Sequence, residues 1–131
     1  MAQRHHEALA RGRAAEWTAA LWLIAKGYRI LARGFRVSGG ELDIVALAPL
    51  WQTPALVFVE VRARGTMEAA AESVTAAKRD RVALAANRFC ARRRRLHELP
   101  WRFDLILVAP RRWPQHIANV WSPASRRGGE T

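Results

Sequence analysis

The sequence has few cysteines, few acidic residues and no long apolar run, and each shortage excludes a class of protein. Cys90 is the only cysteine among 131 residues, so no disulfide and no cysteine zinc cluster is expected within the chain. No apolar run approaches the roughly 18 residues of a membrane-spanning helix. The first residues also lack the apolar core and cleavage site of a signal peptide. We therefore expect a cytoplasmic protein without a membrane partner.

Basic residues outnumber acidic ones two to one. Lys and Arg total 22 against 11 Asp and Glu, which gives a formal net charge of +11. Such a surplus attracts polyanions, because each neutralised phosphate releases condensed counterions, and nucleic acid is therefore the predicted partner. Lys26 and Lys78 are the only lysines, which indicates some arginine-rich codon drift. A solvated cationic surface without a ligand is the alternative.

The apolar pattern predicts one α/β domain over residues 1–121, followed by a polar, disordered tail over residues 122–131. A Pro-free stretch from Arg4 to Lys26 predicts a long helix that ends at Gly27, and its apolar part from Trp17 to Ala25 should pack on a sheet. A second helix is predicted at Glu68–Arg95, between the third and fourth strands. The third strand best fits the sheet centre. The five predicted strands are Tyr28–Val37, Glu41–Leu47, Ala55–Val61, Arg102–Ala109 and Gln115–Trp121.

Two strand carboxylates stand out as candidates for chemistry. Residues two apart in a strand face the same side, so Glu41 and Asp43 should share one face, with Leu42 and Ile44 on the other. Glu60 lies in a run that is apolar on both faces, where a carboxylate must be paired or metal-bound.

A pair of carboxylates on neighbouring strands suits Mg²⁺ or Mn²⁺, because such ions bind through one or two carboxylates and keep several waters. The ion would lower the pKa of a water and neutralise charge on a scissile phosphate. The pair Asp43 and Glu60 therefore predicts metal-assisted phosphodiester hydrolysis. The alternatives are an Asp43–Arg pair and a buried structural ion pair at Glu60.

Four segments carry a resemblance to a known family: Gly40-Glu-Leu-Asp-Ile-Val45, Val57-Phe-Val-Glu-Val-Arg62, Val74 with Lys78, and Arg102-Phe-Asp104. Over residues 12–121 the chain resembles the YraN family of uncharacterised bacterial proteins. That family is similar to archaeal Holliday junction resolvases and carries the Asp…Glu-x-Lys signature of restriction-endonuclease-like nucleases. The resemblance implies a restriction-endonuclease-like (tRNA-endonuclease-like) α/β fold with a central mixed sheet, an endonuclease of structured DNA, and a homodimer.

The resemblance also implies roles for individual residues. Asp43 and Glu60 would be metal ligands, and Glu16 on the first helix would be an additional catalytic acid. The signature lysine is replaced by Arg62, which stays charged and cannot be a general base, although it can still stabilise developing charge. Lys78 is hypothesised to approach the site and supply the missing amine, against the alternative of an exposed helical lysine.

A basic surface for phosphate contacts is predicted along the third strand and the second helix. Such contacts set affinity and register, so recognition should depend on nucleic-acid shape. For the run Arg92 to Arg95, the alternative is a solvated helix C-terminus. The predicted contact residues are Arg62, Arg64, Lys78, Arg79, Arg81, Arg92, Arg93, Arg94 and Arg95.

Six tryptophans are many for this length, and an exposed one can stack on an unpaired base. Most are expected in the core or at interfaces, with Trp51 in its Pro-flanked loop as the exposed exception. Three functions follow from the sequence: a metal-dependent endonuclease, a non-catalytic nucleic-acid-binding module on the same fold, and a protein-interaction domain with an acidic partner.

Overall fold

A five-stranded sheet lies between helices in the computed structural model, which describes residues 2–121. Its strands are β1 (Arg29–Val37), β2 (Gly40–Leu47), β3 (Leu56–Arg62), β4 (Trp101–Leu107) and β5 (Gln115–Trp121), in that spatial order. β3 and β4 are parallel and the other neighbours antiparallel. The predicted mixed sheet with β3 at its centre is confirmed, and it is consistent with a restriction-endonuclease-like fold. The predicted tail at 122–131 lies outside the described residues.

The N-terminal helix α1 (Ala2–Ala25) ends where the sequence predicted a stop. Gly27 adopts a φ of 95°, its N–H donates to Ile24 O at 2.9 Å, and Tyr28 N–H donates to Leu23 O at 2.9 Å. These two bonds form a Schellman motif, which satisfies the last helical carbonyls. Neither α1 nor any other helix among residues 2–121 is long and apolar enough to cross a membrane.

Only one face of α1 packs on the sheet. Ala19, Ala20 and Leu23 are buried against apolar residues of β2, β3 and β4. The prediction that the whole segment from Trp17 to Ala25 packs on the sheet is wrong, because Trp17, Leu21 and Ile24 are each more than half exposed. The helical period explains this, since these three residues point away from the buried face.

The connection between β3 and β4 contains three helices where one was predicted. They are α2 (Met67–Glu72), α3 (Ala76–Ala91) and α4 (Arg94–His97). The single helix Glu68–Arg95 is therefore wrong: Thr75 has extended backbone, and its Oγ1 accepts a hydrogen bond from Lys78 N–H at 3.1 Å. This N-cap starts α3 afresh and places Lys78 in its first turn. The face of α3 with Val82, Ala85 and Phe89 packs on the sheet opposite α1.

The alternation of faces along β2 is interrupted at Asp43. Leu42 packs into the core beneath α3, whereas Ile44 packs into the core beneath α1, so the prediction that they share a face is wrong. The register pairs Phe35 with Leu42 and Arg33 with Ile44, which puts Gly34 opposite Asp43. Gly34 has a φ of 64°, and glycine tolerates this conformation without steric cost. The local kink therefore turns Asp43 out of the regular pleat.

Candidate functional site

The site lies where β2 and β3 separate. Their register runs from Leu47 opposite Leu56 to Ile44 opposite Val59 and then stops, one position before Asp43 and Glu60. Asp43 Oδ2 accepts a hydrogen bond from Val61 N–H at 2.8 Å. The side chain thereby satisfies a β3 backbone donor that the ladder leaves free, and this bond keeps the Asp43 carboxylate beside Glu60.

Asp43 lies in an environment that disfavours its charge. Its pKa is raised from 3.8 to about 7, mainly by burial and next by the neighbouring Glu60 carboxylate, with smaller contributions from Glu16 and Glu41. The Val61 N–H bond acts in the opposite direction and only partly compensates. A divalent ion bound by both carboxylates would stabilise the ionised form of a carboxyl that titrates near neutrality beside another carboxylate.

Two cations contact Glu60, whose side chain is 19% exposed. Lys78 Nζ lies 2.9 Å from Glu60 Oε2, and Arg62 Nε lies 3.1 Å from the same oxygen. Arg62 Nε is buried but does not meet hydrogen-bond geometry, so its contact with Glu60 is a charge interaction. Arg62 is oriented from its far end, where Nη2 donates to Ser73 Oγ at 2.8 Å. The structure therefore brings Lys78 to Glu60.

Glu16 reaches the site from α1. A Cβ placed on Gly34 would lie 4.0 Å from Glu16 Oε1, so Glu16 sits above the residue that faces Asp43. Partial burial raises the pKa of Glu16, and the charges of Arg33 and Arg36 oppose that effect. Glu16 is thus at the rim of the site, with arginines of β1 beside it.

The Asp43 and Glu60 side chains line a small cavity between the sheet and α3. Val74, Lys78 and Val82 contribute to its walls, and its volume is about 20 Å³, which is enough for one water or ion. Among the described residues no group of three or more His, Cys, Asp or Glu side chains is placed to hold a metal. Two carboxylates nevertheless fit Mg²⁺ or Mn²⁺, because these ions take their remaining ligands from water and phosphate.

The predicted phosphate-contacting residues do not all lie together. Arg62 and Lys78 are at the site, and Arg64, Arg79 and Arg81 are exposed nearby in sequence. The run Arg92–Arg95 starts beyond the end of α3, about 20 Å from Lys78 at 1.5 Å per residue. Helix α3 therefore carries separated basic groups along its length.

The arginine run lies at the C-terminal end of α3. Arg92 is the C-cap of α3, and α4 begins at Arg94. Arg93 folds back, with Nη1 donating to Phe89 O at 2.6 Å and its guanidinium 4.0 Å from the Phe89 ring centre. Arg93 is thus partly engaged in packing, and Arg92, Arg94 and Arg95 are exposed.

A second polar network centres on Asp104, which the sequence analysis did not single out as a candidate. Asp104 is almost fully buried. Its carboxylate accepts hydrogen bonds from Arg102 at 2.7 and 2.9 Å and from Asn119 N–H at 2.9 Å. It also contacts His116 Nε2 at 2.8 Å. Burial opposes its ionisation, but the bonds from His116, Arg102 and Asn119 outweigh burial and lower its pKa. The sequence did contain a signal for this network, because Asp104 lies in the apolar run Phe103–Leu107. A carboxylate in such a run must be paired, as was argued for Glu60.

The tryptophans are more exposed than predicted. Of those whose side chains are described, Trp101 is buried and Trp22 half-buried, whereas Trp17, Trp51 and Trp113 are more than half exposed. The exposure predicted for Trp51 is confirmed. The others were expected in the core or at interfaces, and the exposed Trp17 and Trp113 are not core residues.

Comparison with known proteins identifies close relatives along most of the chain. The family model described as uncharacterised protein family UPF0102 matches residues 15–108, a range that contains every residue of the site. A UPF0102 protein of Maricaulis maris (strain MCS10) is 46% identical over 123 residues, which is 94% of each chain. One of Paramagnetospirillum magneticum is 47% identical over 121 residues, covering 89% of this chain and 91% of its own. A UPF0102 protein of Methylorubrum populi is 45% identical over 111 residues, which is 85% of this chain and 86% of the relative.

Proposed function

The chain belongs to the uncharacterised protein family UPF0102, which confirms the YraN resemblance, and from its site we propose a divalent-metal-dependent endonuclease that acts on structured DNA. The observation that carries the proposal is the pair Asp43 and Glu60. Burial and the neighbouring Glu60 raise the pKa of Asp43 to about 7, at the point where β2 and β3 separate. Perturbed carboxylates in a cavity are typical of functional sites.

The carboxylates and the cations have different parts in this proposal. Asp43 and Glu60 would hold the metal, and Val61 N–H keeps Asp43 directed at its partner. The bound ion would polarise a water and neutralise charge on the phosphodiester. Glu16, at the rim, is the proposed additional acid.

The replacement of the signature lysine by Arg62 is compatible with this function because Lys78 supplies an amine. Lys78 Nζ is 2.9 Å from Glu60 Oε2, which places an amine beside the carboxylate pair. Arg62 is turned toward Ser73 and remains a permanent positive charge beside Glu60. We propose that Lys78 takes the chemical role of the signature lysine and that Arg62 stabilises charge on the phosphate.

A non-catalytic nucleic-acid-binding module is the second candidate. It is favoured by the double pairing of Glu60, because Lys78 and Arg62 already neutralise this carboxylate without a metal. In that case Glu60 would be a structural ion pair and the basic groups on α3 would bind phosphate.

We further propose that the protein acts in the cytoplasm, where its one cysteine, buried as Cys90, stays reduced. A homodimer is proposed by analogy with resolvase-like enzymes, and the outer face of α1 is the supporting surface. Trp17, Leu21 and Ile24 follow one another at intervals of four and three residues, which is the spacing of a helix–helix seam. Sedimentation of the wild type and Leu21→Asp tests this, and a monomeric wild type would refute it.

The endonuclease is tested by incubating the protein with Mg²⁺ or Mn²⁺ and duplex, flap and four-way-junction DNA. Wild type should cleave at least one structured substrate, Asp43→Asn should not cleave, and both should bind DNA with an affinity that falls steeply with salt. Glu41→Gln is the matched control, because Glu41 is on the same strand and pairs with Arg36 at 3.5 Å. Metal-independent binding without cleavage by wild type or Arg62→Lys would establish the non-catalytic module instead.

A further inference from the structure

The loop between β2 and β3 exposes an aromatic ring that is held in place. Trp51 is 75% exposed and the adjacent Leu50 is 99% exposed. The Trp51 ring nevertheless lies against the α1 stop signal, because a Cβ built on Gly27 would be only 2.3 Å from Trp51 Cη2 and 3.3 Å from Pro49 Cβ. Any side chain larger than that of Gly27 would clash with the Trp51 ring at this point. The contact fixes the position of Trp51, and most of its surface remains exposed to solvent.

An open groove of about 560 Å³ adjoins this ring. Its walls are residues 51–55 of the loop, residues 100–102 around the start of β4, and Asn119 of β5. Arg102 is held by Asp104 and also donates through Nη1 to Gln52 Oε1 at 3.1 Å. The groove thus combines one exposed aromatic face with the amide and hydroxyl groups of Gln52, Thr53 and Asn119.

We propose that this groove binds an unpaired nucleobase, which stacks on Trp51 while its edge is hydrogen-bonded by groove side chains. The inference rests on the proposed nucleic-acid binding and narrows its ligand to nucleic acid with unpaired bases. A flat aromatic platform beside amide and hydroxyl groups is how proteins bind splayed bases. The net charge of +11 attracts the phosphates that flank such a base.

The groove and the carboxylate pair are at opposite ends of β3. The groove lies before Leu56 and Glu60 is four residues further along, so about 13 Å of strand separates them. The stacked base therefore belongs to a different nucleotide from the one whose phosphate lies at Asp43 and Glu60. A substitution at Trp51 should consequently leave the carboxylate site undisturbed.

The test is a binding titration of the full chain with fluorescent DNA. The ligands are a fully paired duplex and the same duplex with a bulge or overhang of unpaired bases. Trp51→Ala should weaken binding of the unpaired-base ligand by about 5- to 100-fold and leave duplex binding unchanged, and Trp51→Phe should recover part of the loss. Trp113→Ala is the matched control, because Trp113 is 79% exposed but is placed against Trp22, with ring centres 5.6 Å apart; it should bind both ligands as wild type does.

The possible failures are distinguishable. If wild type binds neither ligand, the proposed function and the groove fail together. If wild type binds DNA but Trp51→Ala binds both ligands normally, or loses both equally, the groove proposal is overturned and the proposed function stands. An equal loss in Trp113→Ala would also overturn it, since exposure alone would then account for the effect. Thermal melting of each variant checks that the fold is kept.

Discussion

Replacing Asp43 with asparagine should stabilise the metal-free protein at neutral pH. The folded pKa of Asp43, about 7, exceeds its ordinary value of 3.8, so the folded state binds this proton more tightly than the unfolded chain does. The wild type therefore loses stability as pH rises from about 4 to about 7. At about 1.4 kcal/mol for each pH unit between the two values, the ionised carboxylate costs about 4 kcal/mol above neutrality.

Asparagine removes the free-energy cost of the buried charge and keeps nearly the same side-chain shape as aspartate. Its side-chain oxygen can still accept the bond from Val61 N–H, which is 2.8 Å long in the wild type, and its neutral amide is not repelled by Glu60. Equilibrium urea unfolding in a chelator should show Asp43→Asn more stable than wild type by about 2–4 kcal/mol at about pH 8. The gain should be smaller by about 2–3 kcal/mol at about pH 5, where the wild-type carboxyl is mostly protonated.

Metal binding should remove most or all of this difference in stability. Mg²⁺ or Mn²⁺ at about one hundred times its Kd should stabilise the wild type by about 2.7 kcal/mol and leave Asp43→Asn unchanged. Glu41→Gln should respond to pH and metal nearly as the wild type does, because Glu41 is the smallest of the charges that raise the Asp43 pKa and lies outside the carboxylate pair. The reasoning is refuted if Asp43→Asn is less stable than wild type at about pH 8 without metal, or if its effect is the same at both pH values.

Three further substitutions test the neighbouring interactions. Arg62→Lys keeps a positive charge beside Glu60 and should retain metal-dependent cleavage, so loss of cleavage in a single-turnover assay would contradict the assigned roles. Lys78→Met should abolish cleavage. It should also lower the free energy of unfolding in urea by about 1–3 kcal/mol, because it removes a charged partner of Glu60. Cleavage at the wild-type rate by this variant would exclude Lys78 from the chemistry. Asp104→Asn should cost about 3–5 kcal/mol at neutral pH, since it leaves Arg102 without its partner. The pKa of Asp104 is lowered in the folded protein. The loss of stability should therefore be complete above the ordinary pKa of an aspartate and should shrink as the pH falls through the lower pKa of the folded state. A loss of stability that is constant with pH would refute the pairing.

The strands were predictable because their signal is local. β5 begins and ends at the predicted residues, Gln115 and Trp121, and β3 was identified as the sheet centre from its continuous apolar run. Alternation of apolar residues and β-branched composition are patterns of a few residues, so a strand can be recognised from them without knowledge of the rest of the chain. The same local rule failed at Asp43, because the kink there depends on Gly34 in another strand.

The break before α3 was not predictable from local composition. Thr75 is acceptable both inside a helix and as an N-cap. In the structure Thr75 is the N-cap of α3, and α3 lies directly against the start of β2, where a Cβ on Gly40 would be 2.3 Å from Arg81 O. The helix that resulted carries Lys78 to Glu60.

The sequence by itself determined the sheet, the basic charge and the identity of the two carboxylates, because strand period and composition fix which residues are extended and which polar groups enter an apolar run. Only the tertiary structure decided that Lys78 meets Glu60, that the pKa of Asp43 rises to about 7 and that Asp104 is enclosed by Arg102 and His116. Those properties depend on burial and on distances between elements far apart in the chain, and both arise only when the layers pack.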